Sequence, residues 1–499
     1  MINSTFLHIK QSLLCCFFFV TYSYSQDGSL DISFDSDGKV TTDFGTADYG
    51  YSTAIQNDGK IIVAGSSGNS FALARYNNNG SLDTSFDGDG KTTLNFGTNE
   101  DYGQSVVIQN DGKIIIAGIT TIIGLNTDFA LARFNSDGTL DNTFGIGGKV
   151  ITSVGGEDQV YQAAIQSDGK IVVVGTSSLA SDYGYSLARF NTDGSLDTSF
   201  DGDGKTILDL AFDINRDSFT LAIQTDGKIV IGGVSDGDFA LLRLNSNGSL
   251  DTTFDGDGKA TTDIVTGNTD VIRSISIQSD GKIVATGTTY DTNSVADLVI
   301  VRYTTNGSLD SSFGNLGKVI VNFGGSEEGT SIVLQNDGKI VVAGIIDFDF
   351  LLLRYNSNGT IDTTFDTDGK VTTNFGGEDA AISIKLQTNG KIVVAGFSND
   401  DFAVARYING TLSTNDFATS NNDITIFPNP VVSSTTINTK QIMNNASLRI
   451  YNSIGQCIKE MHSIYGDSVE IYLENATSGM YFISIENEGI TTTQKIIKE

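Results

Sequence analysis

Short apolar runs recur along most of this chain, each introduced by a polar turn. The tripeptide Asp-Gly-Lys followed by such a run begins at Asp58, Asp111, Asp168, Asp226, Asp280 and Asp337, and an Asn-Gly-Lys copy begins at Asn389. Successive copies lie 52 to 58 residues apart, and a glutamine stands two residues before each (Gln56 to Gln387). A fixed period of this size is the signature of a repeat architecture. Within one unit the pattern predicts four strands. Strand a is the small-and-apolar segment Ser52 to Gln56, and Asn57-Asp58-Gly59-Lys60 is a hairpin turn, since Asp-Gly supplies the positive φ that tight turns need. Strand b, Ile61 to Ala64, is uniformly apolar, as a strand buried on both faces would be. Strand c, Phe71 to Tyr76, alternates large and small, and the Thr-rich strand d, Lys91 to Phe96, suits an exposed edge.

Seven such units predict an all-β fold: a seven-bladed β-propeller of four-stranded blades, whose radial closure leaves only short edges. The phase of the repeat adds a sharper expectation. A lone d-type strand, Lys39 to Phe44, precedes the first unit, and the last unit ends after its c-type strand, Phe402 to Tyr407. These two fragments are expected to pair and clasp the ring.

Composition removes whole classes of chemistry. The three cysteines (Cys15, Cys16, Cys457) and two histidines (His8, His462) all lie outside residues 26–411. The repeats therefore offer no thiol nucleophile, imidazole base, disulfide or His/Cys zinc site. A net charge of −30 opposes nucleic acid and anionic membranes, which demand clustered Lys and Arg. Most basic residues are spread one per unit at three repeat positions, so they form no patch, and Arg75 and its equivalents are expected to pair locally with a carboxylate or carbonyl. No cofactor is expected to be required.

The first 25 residues read as a signal peptide: Lys10, an apolar core from Ser12 to Val20, and small residues Ser23 and Ser25 before Gln26. The apolar run continues past Cys15 and Cys16, which disfavours lipid attachment there. It is also too short to span a bilayer, and no transmembrane segment is expected in the mature chain.

Three sets of acids are candidate sites. Asp87 and Asp89, Asp201 and Asp203, and Asp255 and Asp257 belong to Asp-Gly-Asp-Gly segments that look like the start of a calcium loop. They lack the closing glutamate of such a loop, so structural turns are the favoured reading, with Ca²⁺ the candidate ion. The Asp of Leu-Asp-x-Ser/Thr-Phe (Asp31, Asp83, Asp141 and equivalents) fits the cap of a short turn, with the Phe three residues on plugging the space between blades. Eight residues before each marker glutamine stands an acid: Asp48, Asp101, Asp158, Asp270, Glu327 and Asp379, with Asp217 beside Arg216 in the remaining unit. If strand a is innermost, this acidic ring lies in the d-to-a loops where the chain dives toward the channel, on a face that is a candidate site for a cation or a cationic partner. The competing reading is that each acid caps a turn. The b-to-c loops vary most in length and are expected on the same face.

The copies of Asn79-Gly80-Ser81-Leu82-Asp83-Thr84-Ser85-Phe86 resemble the delta-60 repeat family of seven-bladed propellers, over roughly residues 27–411. That resemblance brings no assigned activity. After a polar linker, 414–422, residues 423–499 change texture. Ile424-Thr-Ile-Phe-Pro-Asn-Pro, Leu448-Arg-Ile-Tyr-Asn-Ser-Ile-Gly-Gln, Ser478-Gly-Met-Tyr-Phe-Ile-Ser-Ile and Lys495-Ile-Ile-Lys together resemble the type A C-terminal sorting domain of the type IX secretion system. Pro428, Asn429, Pro430, Gly455, Gly479, Tyr481, Lys495 and Lys498 are its motif residues here. The resemblance implies a small immunoglobulin-like β-sandwich, the type IX machinery as partner, and a protein secreted or anchored at the outer-membrane surface. The domains are thus 1–25, 26–413, 414–422 and 423–499. A non-catalytic binding module for an unknown surface ligand is the leading functional expectation. The alternatives are a carboxylate-based glycoside or ester hydrolase and a purely structural surface or matrix protein.

Overall fold

The computed structural model describes residues 26–97, 100–121, 126–178, 183–208, 219–410, 424–452, 457–473, 476–487 and 490–498. The expected signal peptide (1–25) and linker (414–422), together with Arg216, Asp217 and Gly455, lie outside these residues. Seven four-stranded antiparallel sheets follow one another, each a meander in the order a-b-c-d. Blades 1 to 6 span 48–94, 101–152, 158–208, 220–262, 269–321 and 327–373; blade 7 combines 379–407 with 39–42.

In blade 1 the strands are Asp48–Ile55, Ile61–Ser67, Ser70–Tyr76 and Lys91–Leu94. Gly59 adopts φ +85° in the a–b turn, the conformation the Asp-Gly signal predicts. Strand b is buried along its whole length, whereas strand d is largely accessible. The predicted clasp is present: Lys39–Thr42 pairs antiparallel with Asp401–Tyr407, Lys39 opposite Ala405 and Thr42 opposite Phe402. A strand contributed from far along the chain gives blade 7 the same four-strand section as the others and leaves no open strand c.

The hydrophobic core lies between blades rather than within one sheet. Phe144 of blade 2, for example, packs with Val173 and Phe190 of blade 3, and Phe34 joins blade 7 to Ile61 and Val63 of blade 1. The repeated Phe is fully buried in every unit from Phe34 to Phe365, so it fills the inter-blade space as its spacing suggests.

Residues 424–498 form a separate antiparallel sheet. Its long strand Ser434–Asn452 pairs with Cys457–Tyr472 and changes its second neighbour midway, from Ile424–Phe427 to Gly479–Asn487. A last strand, Ile490–Lys498, follows, and a parallel bridge from Val431 to Lys498 brings the two ends of the domain together. The result is one sheet wrapped nearly into a barrel around Ile437, Leu448, Ile450, Ile471 and Ile483. Long strands that change partners join what would otherwise be the two sheets of a sandwich.

Candidate functional site in the central channel

Among the described residues, strand a of every blade but the fourth carries the same irregularity. In blades 1, 2, 3, 5, 6 and 7 the a–b register slips by one residue, at Tyr51, Gln104, Tyr161, Arg273, Thr330 and Ile382. Such a bulge leaves one residue unpaired and re-aims its side chain. A glycine in strand b makes the bulge possible: a Cβ on Gly65 would lie 1.8 Å from the carbonyl oxygen of Tyr49. All six bulge residues line a cavity of about 660 Å³ along the axis of the ring, within the size range of small-molecule sites.

The residue after each bulge serves the ring itself. Oγ of Ser52 accepts the amide of Val106 at 3.1 Å, Ser105 that of Ala163 at 3.0 Å, and Ser383 that of Thr53 at 3.0 Å. Gln162, Ser274 and Ser331 do the same for Leu221, Ile332 and Ile384. These bonds link six of the seven neighbouring pairs of blades, including the last blade to the first; no such bond joins blades 4 and 5 among the described residues. The channel therefore has a largely repeated hydrogen-bonded wall, interrupted at blade 4, and a variable set of side chains standing on it: two tyrosines, an amide, a guanidinium, a hydroxyl and an aliphatic group. Three residues beyond the bulge in blade 7, Lys385 also lines the cavity. Its ammonium is open to the lumen but walled by protein, and that burial lowers its pKa from the ordinary lysine value. Arg273 donates to the Tyr290 hydroxyl at 3.0 Å and stands 3.6 Å from Glu328.

The repeated charges have other work. In blade 2, Asp141 Oδ1 accepts the Thr143 amide and hydroxyl at 3.1 and 2.7 Å, capping its turn. Its Oδ2 receives Arg133 Nε at 2.7 Å and Lys113 Nζ at 2.8 Å. Burial alone would raise this carboxyl's pKa, but Lys113, Thr143 and Arg133 outweigh it and hold it well below the usual carboxylate range. The Arg133 guanidinium lies over the Phe144 ring, 4.6 Å from its centre, and also donates to the Thr192 carbonyl of blade 3. The same Lys–Asp–Arg unit recurs around the ring, and in blade 7 it uses Asp31 with Arg406 and Lys391, tying the N-terminal segment into the clasp. The repeat spacing pointed to local pairing; that the arginine and the strand-b lysine of a unit meet at one carboxylate was visible only in their equal count per unit.

The acidic ring does not line the channel cavity. Asp48, Asp101, Asp158, Asp270, Glu327 and Asp379 begin strand a and are buried, each accepting a backbone amide of its own d-to-a crossover. Phe44, Phe96, Val154, Ile264 and Phe375 donate to the aspartates at 2.6 to 2.8 Å, and Gly325 donates to Glu327 at 3.1 Å. No two of these six acids share a carboxylate cluster among the described residues. Contact with the preceding blade's b–c turn, such as Asp48 N to the Asp400 carbonyl at 2.7 Å, puts crossovers and b–c loops on one face.

Two crossovers gather extra acids: Asp43, Asp48 and Asp401, and Asp238, Asp263 and Asp270, with one oxygen from each within 4.8 Å of the others. Burial and the neighbouring carboxylates raise the pKa of Asp238, Asp270 and Asp401. In blades 5 and 6 the equivalent of Asp263 is an asparagine that donates to the strand-c acid, Asn322 to Asp297 at 2.8 Å and Asn374 to Asp349 at 2.7 Å. The Asp-Gly-Asp-Gly segments are exposed turns. Asp89, Asp203 and Asp257 each accept the amide of the lysine two residues on at 2.9 to 3.0 Å. Asp87, Asp201 and Asp255 take φ near +48° and, like their equivalents, bond to the next blade through their amides.

In the C-terminal sheet, Asn429 lies between Pro428 and Pro430 and joins the last strand, donating to the Lys495 carbonyl at 3.2 Å and accepting the Ile497 amide at 2.9 Å. Tyr481 is buried, with its hydroxyl donating to the Thr477 carbonyl at 2.8 Å, and Lys498 is nearly buried beside the Val431 bridge. Gly479 opens the strand that precedes the last one.

Fold and site together define a repeat β-propeller joined to a small β export domain. Six segments, 56–86, 109–144, 166–200, 224–254, 278–313 and 335–365, match the family described as "Domain of unknown function (DUF5122) beta-propeller", and residues 425–499 match "Secretion system C-terminal sorting domain". The chain is a DUF5122-repeat propeller carrying a type IX C-terminal sorting domain, which implies secretion. No curated protein matches the sequence. Among solved structures it is similar to virginiamycin B lyase from Staphylococcus aureus, at 12% identity over 74% of this chain and 98% of that one, with a TM-score of 0.48. It is also similar to Sqt1 from Chaetomium thermophilum, at 15% identity, 73% and 97% coverage and a TM-score of 0.42. Drosophila Plexin A in complex with Semaphorin 1b is similar at 10% identity, 76% and 88% coverage and a TM-score of 0.41. No helix among the described residues is long and apolar enough to cross a membrane.

Proposed function

We propose that this protein is a non-catalytic binding module, delivered to the cell surface by the type IX route, that captures its ligand in the propeller's central channel. One observation carries the reading. The charges that repeat are consumed in bonds within and between blades, whereas the bulge position repeats in backbone geometry and differs in side chain from blade to blade. A scaffold with no ligand gains nothing from five kinds of neutral and charged group at six equivalent positions on one lumen. Hydrolysis by paired carboxylates is the weaker reading, because none of the residues lining the cavity is an acid.

The test is capture of glycans, peptides and small metabolites on arrays by the full chain and by Gln104→Trp, which fills the lumen from a position with no structural bond in the ring. Capture by the wild type and loss in the variant is the expected result. Capture unchanged by the variant would move the site elsewhere, and no capture at all would favour a structural surface role.

A further inference from the structure

The described part of the propeller contains two cations outside the three repeat positions, Arg273 and Lys385. Both line the central cavity. The other basic residues there are engaged as the repeat dictates: arginines and strand-b lysines at the Leu-Asp carboxylates, and strand-d lysines at a carbonyl or ring of the neighbouring blade, as Lys91 is at the Asp43 carbonyl, 2.8 Å away. The two exceptions sit at different depths. Arg273 occupies the bulge and Lys385 lies three residues further along its strand, roughly 10 Å along the axis at about 3.3 Å per residue. Arg273 already faces Glu328 and Tyr290. Lys385 has no hydrogen bond or ion pair with any described residue. It is solvent-accessible within the lumen and has no acid among the described residues to pair with, which leaves its charge available to a ligand that enters the cavity. Lys385 occupies a position where Ala54, Val107, Ala164 and Val333 stand in other blades, so the fold itself does not require a lysine there.

Resting on the channel reading above, we propose that the channel binds an acidic sugar, with the ligand's carboxylate held by Lys385. The neighbouring groups suit the rest of such a ligand. Tyr51 and Tyr161 offer ring faces, while Gln104, Thr330 and Ser276 offer amide and hydroxyl partners to a polyhydroxylated ring. The net charge of −30 opposes an anion's approach, but exposed charges are largely screened beyond about 8 Å at physiological ionic strength, and inside the lumen the nearest free charge is positive.

The experiment is calorimetric titration of the full chain with glucuronate, glucose and inorganic sulfate, repeated with Lys385→Gln and Lys385→Arg. Glucuronate is expected to bind at least tenfold tighter than glucose. Lys385→Gln should erase that difference without changing the melting temperature downward, and Lys385→Arg should keep it. Equal binding of glucose and glucuronate would overturn the role of Lys385 while leaving the channel as a sugar site. Sulfate binding as well as glucuronate would reduce the claim to an anion site and overturn the sugar. Tight glucuronate binding that survives Lys385→Gln would overturn the assignment of its carboxylate. Binding of none of the three would overturn the acidic-sugar proposal, and the array with Gln104→Trp would then decide the channel reading on its own.

Discussion

At the scale of residues, one carboxylate per blade carries most of the fixed electrostatics. Asp141 joins a turn cap to two cations, so replacing it with Asn leaves Arg133 buried and unpaired. We expect Asp141→Asn to cost about 3–5 kcal/mol in chemical denaturation, as breaking a buried ion pair does. The same carboxylates set the pH response. Their folded pKa values are depressed below the unfolded value of about 3.9, so their contribution is complete above that value and is lost as pH falls below it. Seven other described aspartates, Asp158, Asp238, Asp270 and Asp401 among them, have raised pKa values and act in the opposite direction, but each is shifted less strongly. Melting temperatures are therefore expected to hold from pH 7 to about 5 and fall steeply below about 4; a flat profile down to pH 3 would contradict the triads' role. The crossover between blades 4 and 5 gives a prediction of opposite sign. Asp263→Asn should copy the Asn322–Asp297 bond and stabilise the protein by up to about 1 kcal/mol when measured in EDTA.

At the scale of elements, local chemistry made much of the molecule readable and tertiary geometry hid the rest. The Asp-Gly turns, the apolar strand b and the repeat phase were enough to place the blades and to pair Lys39–Thr42 with the last strand c. The acids at Asp48 and its equivalents were legible as a set in the d-to-a crossovers, and of the two readings open for them the capping of backbone amides is the one their bonds follow, because each crossover has an amide in need of an acceptor. The bulge residues were missed because no one residue type marks the position from blade to blade. The available signal was the glycine ending each apolar run, Gly65, Gly118 and Gly175, which marks where a neighbouring backbone presses close. In the C-terminal domain the strand segments were readable, but the partner change along Ser434–Asn452 depends on long-range pairing that alternation does not encode. The clasp yields the element-scale prediction. Removing residues 26–44 deletes strand d of blade 7 together with Asp31 and Phe34, exposing a paired edge and an inter-blade surface. That variant is expected to oligomerise on size-exclusion chromatography, whereas a monomer melting like the full chain would show that the clasp is dispensable.

At the scale of the whole molecule, a ring of near-identical blades is stabilised by repetition and made specific by its few departures from it. Those departures gather on the lumen, where the proposed function puts ligand capture, and the sorting domain implies secretion. The most direct measurement is a hydrogen-exchange and hydroxyl-radical footprint of the full chain with and without a ligand captured on the array. The account predicts protection at strand a, centred on Tyr51, Gln104, Tyr161, Arg273, Thr330 and Lys385, with the outer strands unchanged. Protection confined to the b–c loops or to the outer strands, with strand a unaffected, would contradict it.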